Sequence, residues 1–167
     1  MEEERQEHPD DHHHQHHIQR HMNNQWDNVL PPLLQQHPAV TAFLEASASF
    51  IVTDPRLPGN PIIFASPGFL QLTGYSIDRV LGRNCRFLQG PGTDPAVVAQ
   101  IREAVDNGAD IAVTLLNYRR DGSTFWNHVL ISGVRKEFDG RTTLLYFIGL
   151  QQPRTTRHPN TSMFEEP

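Results

Sequence analysis

Apolar and polar residues alternate along three segments in the second half of the chain, which is the pattern of half-buried β-strands. These segments are DIAVTLLNYR, STFWNHVLISGVRK and TTLLYFIGLQ. Asp121-Gly122 and Asp139-Gly140 lie between them, and Asp-Gly pairs are typical of tight hairpin turns. The pattern therefore predicts three consecutive antiparallel strands.

The sequence that precedes these three segments has the patterns of two further strands and several helices. FIVTD and PIIFA are typical of strands that pair as a hairpin, and SPGFLQLTG and SIDRVLG are typical of short helices. The clearest helix pattern is TDPAVVAQIREAVDNG, with a buried stripe formed by Val97, Ile101, Ala104 and Val105. This order predicts an α+β domain with one five-stranded antiparallel sheet and its helices on one face.

Composition divides the chain into four parts. Residues 1–38 form a polar, histidine-rich extension, predicted to be largely disordered because it has little apolar surface to bury. Residues 39–48 form a flanking helix, residues 49–152 the compact domain, and residues 153–167 a C-terminal tail. The flanking helix is too short to be stable alone in water, so we expect it to dock on the domain.

The histidines are concentrated in the N-terminal extension. Seven of the ten lie within the first 28 residues, and HHHQHH spans His12 to His17. Such a run is compatible with loose metal binding. Because no acidic or cysteine ligands elsewhere complete a defined site, the sequence favours a polar tail and predicts no metal centre.

Charge and composition exclude several classes of partner. A net charge of −5 argues against nucleic acid, whose binding usually needs a basic stripe. No apolar run approaches the roughly 20 residues of a membrane span, and the acidic start is unlike a secretory leader. A single cysteine fits a reducing compartment. We therefore expect a cytoplasmic protein that binds neither nucleic acid nor membrane.

Strand parity places three carboxamides, those of Asn117, Asn127 and Gln151, among apolar residues. The two asparagines share a face only if the turn between their strands has three residues, with Gly122 in the left-handed position of a bulge. A two-residue turn separates them, and Asp-Gly suits both turns. Buried amides either satisfy one another and the backbone or bind a flat heterocycle, and parity leaves both interpretations open.

The opposite face of the predicted sheet is also apolar, and a surface of this size is expected to be covered. The flanking helix and a second copy of the chain are the candidate covers, and the helix alone would suffice. The residues on this outer face are Leu116, Tyr118, Trp126, Leu130, Leu144, Tyr146, Ile148 and Leu150.

The segment around the only cysteine resembles the signature of LOV (light-oxygen-voltage) domains, the flavin-binding blue-light sensors of the PAS superfamily. GRNCRFLQ matches that signature without a departure, and PRLPGNPIIFAS, NYRRDG, FWN and YFIGLQ extend the resemblance over roughly residues 49–152. The resemblance implies a PAS-like sheet whose helices enclose a flavin pocket.

The resemblance also implies a photochemical role for Cys85. In LOV domains the motif cysteine bonds reversibly to the C4a carbon of photoexcited flavin mononucleotide (FMN), and an ordinary thiol is inert in the dark because it is protonated. Gln151 is then expected to sense protonation of flavin N5 and to carry the signal to the sheet surface, the flanking helix or a dimer interface. Only GPGTDP separates the motif from the next helix, which favours FMN over the larger FAD.

The remaining cofactor contacts follow from the same resemblance. Arg86 and Arg102 would hold the phosphate, since guanidinium groups are permanently charged and match phosphate oxygens. Asn84 and Gln89 would bind the ribityl hydroxyls, and the two interior asparagines would pair with the pyrimidine edge. The residues expected to line the rest of the pocket are Thr53, Asn60, Leu88, Leu115, Val129, Ile131 and Phe147.

Two other functions fit the sequence less well than a photoreceptor does. A flavin oxidoreductase lacks support because the chain has no nicotinamide-binding fingerprint and no second cysteine for thiol exchange. A PAS-type binding module for another ligand would leave the complete flavin signature unexplained. The leading hypothesis is a sensor module that is not an enzyme, with output through a homodimer or a protein effector.

Overall fold

A five-stranded antiparallel sheet with the strand order β2-β1-β5-β4-β3 forms the centre of the fold. The computed structural model describes residues 14–15 and 26–155, and structural statements refer to these residues. The strands are β1 (Ser49–Thr53), β2 (Ile62–Ala65), β3 (Ile111–Tyr118), β4 (Thr124–Phe138) and β5 (Arg141–Arg154). The helices are α1 (Pro32–Gln35), α2 (Pro38–Glu45), α3 (Pro67–Thr73) and α4 (Pro95–Asp106), and 3-10 turns span Ile77–Arg79 and Cys85–Leu88. The predicted α+β fold is confirmed.

Local capping chemistry fixes the two helices on the inner side of the sheet. The Ser66 hydroxyl accepts a hydrogen bond from the amide of Phe69 at the start of α3, and Gly74 ends this helix at φ +76°. The Asp94 side chain accepts from the amide of Ala96 and starts α4. SIDRVLG, by contrast, forms only a short 3-10 turn rather than the predicted helix.

The turn between β3 and β4 has three residues. Tyr118 pairs with Thr124, and Gly122 takes the left-handed conformation at φ +85°. This register is the one that places Asn117 and Asn127 on the same face of the sheet. The structure thereby resolves the choice that the Asp-Gly pair left open.

The N-terminal segment covers part of the outer face. Leu34 and Val40 are completely buried in a cluster with Phe50, Val52 and Tyr146. The sequence predicts residues 1–38 to be a largely disordered extension, and Leu34 lies within that range. The structure differs because the apolar run around α1 finds a hydrophobic surface on the sheet, and burial there offsets the cost of ordering the segment.

Residues 26–31, which we call the strap, contact the edge strand β2 at Ala65, whereas the backbone of Ile62 in the same strand bonds to Gly82 and Arg83. The Asn28 side chain donates to the carbonyl of Ala65 at 3.0 Å and accepts from its amide at 2.9 Å. These bonds satisfy a strand edge that would otherwise be open for pairing. The ring of Trp26 lies directly over Gly82, three residues before Cys85.

Both ends of the chain extend beyond the described residues. Of the run from His12 to His17 only His14 and Gln15 are described, and the His14 Nδ1 atom lies 3.1 Å from the Asp54 carboxylate. Strand β5 continues to Arg154, past the predicted domain end at residue 152, and residues 156–167 lie outside the described part of the chain.

Within the described ranges no cluster of three or more His, Cys, Asp or Glu side chains is arranged for a metal ion. No helix in these ranges is both long and apolar enough to cross a membrane.

The contact between the strap and Gly82 predicts a large effect of Gly82→Ala on stability. A Cβ atom there would lie 2.3 Å from Nε1 of Trp26, and the residue has φ +77°. We expect the free energy of unfolding to fall by about 3 kcal/mol, from backbone strain and overpacking together. The loss is measured by chemical denaturation.

Gly140→Ala is the matched control for that substitution. Gly140 also has a positive φ, +70°, but nothing lies within 4 Å of a Cβ atom built there. It should therefore lose only the strain contribution, about 1 kcal/mol. Equal losses in the two variants would show that the strap does not pack against Gly82 in solution.

Candidate functional site

A cavity of about 380 Å³ lies between the inner face of the sheet and helix α4. Ile51, Val129 and Phe147 contribute to its sheet wall, and Ile101 and Val105 to its helix wall. No residue of α4 is fully buried, and its apolar side chains Val98, Ile101 and Val105 face the cavity. Of the predicted stripe, Ile101 and Val105 thus line the cavity, whereas Val97 and Ala104 are half-buried and do not.

Polar atoms without partners face this cavity. Thr53 Oγ1 and Asn60 Oδ1 are buried and accept or donate no hydrogen bond within the described structure. Leaving such an atom unpaired costs about 1–3 kcal/mol. Arg86 and Arg102 also line the cavity, and neither guanidinium group forms a hydrogen bond or ion pair with a described residue. The cavity therefore offers a ligand neutral polar groups and two cations, together with the carboxylate of Asp106.

Cys85 lines the cavity at the start of a 3-10 turn. Asn84 caps this turn, since its Oδ1 accepts from the Arg86 amide at 3.0 Å while its Nδ2 donates to the Gly59 carbonyl at 2.9 Å. Burial raises the pKa of the Cys85 thiol above its ordinary value, although a backbone hydrogen bond and the charge of Arg86 oppose the shift. The thiol is consequently protonated at neutral pH.

The two interior asparagines pair with each other. Asn127 Nδ2 donates to Asn117 Oδ1 at 2.9 Å, and Asn127 Oδ1 accepts from the Gln152 amide at 3.1 Å. Asn117 Nδ2 lies 3.3 Å from the carbonyl oxygens of both Leu88 and Leu116, which is long for an N–H···O bond. The amides thus satisfy one another and the backbone, with Asn117 held the more loosely.

Gln151 lies where the interior meets the surface. It is 6% exposed, and it lines both the inner cavity and an outer groove of about 690 Å³ beside the end of α2. Its Nε2 donates to the Gly149 carbonyl at 3.0 Å, and its Oε1 accepts from Ser49 Oγ at 3.1 Å. The carboxamide therefore connects the cavity with the first residue of β1.

The cavity brings together most of the residues singled out from the sequence. The predicted residues that line it are Thr53, Asn60, Asn84, Cys85, Arg86, Gln89, Arg102, Val129, Ile131, Phe147 and Gln151. Those that are buried but do not line it are Leu88, Leu115, Asn117 and Asn127. The first group is the candidate site, and the second group packs behind it.

Sequence reasoning did not assign several lining residues to the pocket. These are Ile51, Pro55, Leu57, Gly59, Val98, Ile101, Val105, Asp106 and Gly149. Periodicity could have found some of them, because Ile51 shares strand parity with Thr53 and Asp106 is one helical turn from Arg102. Which side of α4 faces the cavity depends on the rotation of the helix against the sheet.

Comparison with known proteins places this architecture among sensor domains. The PAS domain family matches residues 47–152. Phototropin-1A of Oryza sativa subsp. japonica is 54% identical over 103 residues, which are 62% of this chain and 11% of that protein. A blue-light-activated histidine kinase of Rhizobium johnstonii is 47% identical over 113 residues, 68% of this chain and 32% of the relative. The chain thus spans only a small part of either full-length relative.

Among solved structures, the light-state LOV domain of the blue-light photoreceptor Aureochrome1 is 51% identical to this chain. The two align with a TM-score of 0.62 over 70% of this chain and 88% of that one. Together with the strand order and the enclosed cavity, these matches show that the chain belongs to the PAS domain family. Within that family it is a LOV domain, a blue-light photoreceptor module, which confirms the resemblance drawn from GRNCRFLQ.

The raised pKa of Cys85 predicts the pH dependence of its reaction with iodoacetamide. Because this is the only cysteine in the chain, alkylation reports on it alone. We expect the alkylation rate of the folded protein to rise with pH around a midpoint above that of the urea-unfolded chain. The rates are followed by intact mass.

The same shift has a consequence for stability. As pH rises above the ordinary thiol pKa, the unfolded chain loses the proton first, so the free energy of unfolding should fall. A Cys85→Ser control should lack this part of the pH dependence. A folded-state midpoint at or below that of the unfolded chain would contradict both expectations.

Proposed function

We propose that the cavity beneath α4 binds FMN and that Cys85 bonds reversibly to the flavin under blue light. The observation that carries this proposal is the lining of one largely apolar cavity by the thiol, two polar atoms and two guanidinium groups. These polar atoms and guanidinium groups have no hydrogen-bond partner among the residues that the structure describes. A planar ring with polar edges and a phosphate tail would satisfy all of these groups. When bound, the flavin supplies blue-light absorption and an excited-state carbon, C4a, that accepts a thiol sulfur.

Different lining residues would bind different parts of such a cofactor. Arg86 and Arg102 would bind the phosphate, and Asn84 and Gln89 the ribityl hydroxyls. The apolar side chains of Val129, Ile131, Phe147 and their neighbours would pack against the ring.

The remaining polar groups of the interior would bind the edges of the ring. Thr53 Oγ1 and Asn60 Oδ1 would gain the hydrogen bonds that they lack. The long 3.3 Å contacts of Asn117 Nδ2 mark it as the amide donor that is most easily turned toward the pyrimidine edge. Leu88, Leu115 and Asn127 would support that edge from behind.

The short connection between the cysteine turn and α4 favours FMN over FAD. Only residues 89–94 separate Leu88 from Pro95, and part of this stretch is held against β3. It contains no insertion that would shelter an adenine.

Cys85 is suited to a reaction that runs only in light. Its raised pKa keeps the thiol protonated and therefore unreactive in the dark. Cys85 would supply both the sulfur and the thiol proton to a bound flavin under blue light, and would take both back in the dark. No external oxidant or reductant would be required.

Gln151 would carry the change out of the cavity. If its carboxamide turns to present Oε1 to a protonated N5, the Nε2 bond to the Gly149 carbonyl is lost. The Ser49 hydroxyl can follow this rotation, because it is able to donate or accept. Since Ser49 begins β1 shortly after α2 ends, the rearrangement reaches the flanking helix within a few residues.

Output is proposed to pass through association and not through catalysis by this chain. Leu44 and Leu130 remain 42% and 36% exposed, so the flanking helix and the outer sheet face keep an apolar surface that the described residues do not cover. A homodimer through this surface is the first candidate, and a protein effector is the second.

Replacing the thiol tests the proposed chemistry directly. We expect the purified chain to show a structured blue absorption band that bleaches under blue light and returns in the dark, with FMN as the extracted flavin. Cys85→Ala should keep the bound flavin and lose the bleaching, because only the sulfur is removed. Absorption spectra before and after illumination decide the matter, and bleaching that persists in the variant would remove Cys85 from the reaction.

Gln151→Leu tests the proposed relay, since leucine fills similar space without hydrogen-bonding groups. Bleaching should persist, while the light–dark difference in amide hydrogen exchange across residues 43–50 should drop at least about twofold, as expected when a coupling of roughly 0.5–2 kcal/mol is lost. Gln152→Leu is the matched control, because this neighbouring carboxamide bonds to Arg154 and does not line the inner cavity. A full exchange response in Gln151→Leu would place the relay elsewhere.

A further inference from the structure

Thr93 holds the connection between the cysteine turn and α4. Thr93 is 7% exposed, and its Oγ1 both accepts and donates a hydrogen bond. It accepts from the Gly90 amide at 3.0 Å and donates to the Leu116 carbonyl at 2.7 Å. The Thr93 amide also donates to the Gly90 carbonyl at 3.0 Å. One side chain thus closes the loop on itself and attaches it to β3.

The Leu116 carbonyl is shared between Thr93 and Asn117. The hydroxyl of Thr93 lies 2.7 Å from this oxygen, and Asn117 Nδ2 lies 3.3 Å from it. The shorter bond is the stronger of the two. If the Thr93 hydroxyl were removed, Asn117 Nδ2 would be the remaining side-chain donor to this carbonyl among the described residues.

Three elements that carry proposed cofactor contacts meet at this hydroxyl. The Gly90 amide follows the turn that begins at Cys85 and is capped by Gln89, and Asp94, next to Thr93, caps the helix that carries Arg102. The third element is β3, reached through the Leu116 carbonyl. Loss of the Thr93 hydroxyl would therefore change the distances between the cysteine turn, helix α4 and strand β3.

We propose that Thr93 is a positioning residue of the flavin site: by donating to the Leu116 carbonyl, it keeps the Asn117 amide only loosely bonded and so able to turn toward the ring edge. This inference rests on the proposed function, because it concerns the same cofactor. Thr93 does not line the cavity and needs no contact with the flavin. Its effect is on the positions of the hydrogen-bond donors that are proposed to contact the flavin.

Tyr118 provides the control for a role in loop rigidity alone. Its hydroxyl accepts from the Gly92 amide at 2.7 Å, and its ring lies against Gly90. It therefore anchors the same loop as Thr93, but its hydroxyl bonds to the Gly92 amide and not to the Leu116 carbonyl. Tyr118→Phe removes one loop anchor while leaving the shared carbonyl as it is.

The test compares FMN complexes of the full chain and of Thr93→Val, Thr93→Ser and Tyr118→Phe. FMN affinity is measured by fluorescence quenching, and the flavin carbonyl stretches are measured by infrared spectroscopy in the dark. Thr93→Val should weaken FMN binding by about tenfold and shift a carbonyl band, since a buried hydrogen bond is lost and a ring contact is altered. Thr93→Ser should restore both values, and Tyr118→Phe should leave the carbonyl bands unshifted.

Two results would overturn the assignment. One is an unchanged affinity and carbonyl spectrum in Thr93→Val, and the other is a Tyr118→Phe variant that reproduces both changes. If Thr93→Val does not fold, Thr93→Ala is judged by the same criteria. Failure of the unaltered chain to bind FMN is a separate result, visible before any substitution, and it would overturn the proposed function together with this assignment.

Discussion

The register between β3 and β4 is the constraint on which the interior of this domain depends. A shift of one residue would exchange the two faces of β3 and move Asn117 from the interior to the outer surface. The three-residue turn prevents this shift with Gly122 at φ +85°, and Asp121 Oδ1 closes it by accepting from the amide and the hydroxyl of Ser123 at 2.9 and 2.6 Å. The pair formed with Asn127 exists only in this register. A turn of a few residues at the edge of the sheet thus determines the chemistry of its centre.

The cavity on the inner face of the sheet lowers the folding stability of the domain. Thr53 Oγ1 and Asn60 Oδ1 are unpaired, and helix α4 buries no residue completely. Each of these features is unfavourable for folding, and such local conflicts are typical of functional sites. The position of α4 consequently depends on its ends, where Asp94 caps the helix and the adjacent Thr93 ties the loop to β3.

The N-terminal segment gives the proposed signal a short route to the surface. Gln151 lines the inner cavity and the outer groove, and its partner Ser49 follows the flanking helix α2 within a few residues. The strap adds a second contact between the two sides of the sheet. Trp26 packs against the outer cluster that contains Leu34 and against an inner cluster that contains Phe69 and Val80, and it lies over Gly82. A change near Cys85 therefore has two physical connections to the segment that covers the outer face.

Local sequence signals determined the elements and the identity of the domain. Period-two patterns located the strands of the meander, and Ser66, Gly74 and Asp94 marked helix ends because capping needs only a few neighbouring residues. Parity placed Asn127 and Gln151 on the inner face, since alternation within a strand is a local property. The continuous signature around Cys85 identified the LOV family, which the comparisons confirmed.

The tertiary structure decided the features that depend on contacts between distant segments. Asp121-Gly122 suits two turn lengths, so the register of β3 and β4 was settled only when the strands paired. The burial of Leu34 required the apolar outer face of the sheet, which a short irregular run cannot reveal by its own pattern. The same holds for the rotation of α4 and for the bond between Thr93 and the Leu116 carbonyl. Propensity is encoded over a few residues, whereas register, burial and shared hydrogen-bond acceptors arise from the packing of the whole chain.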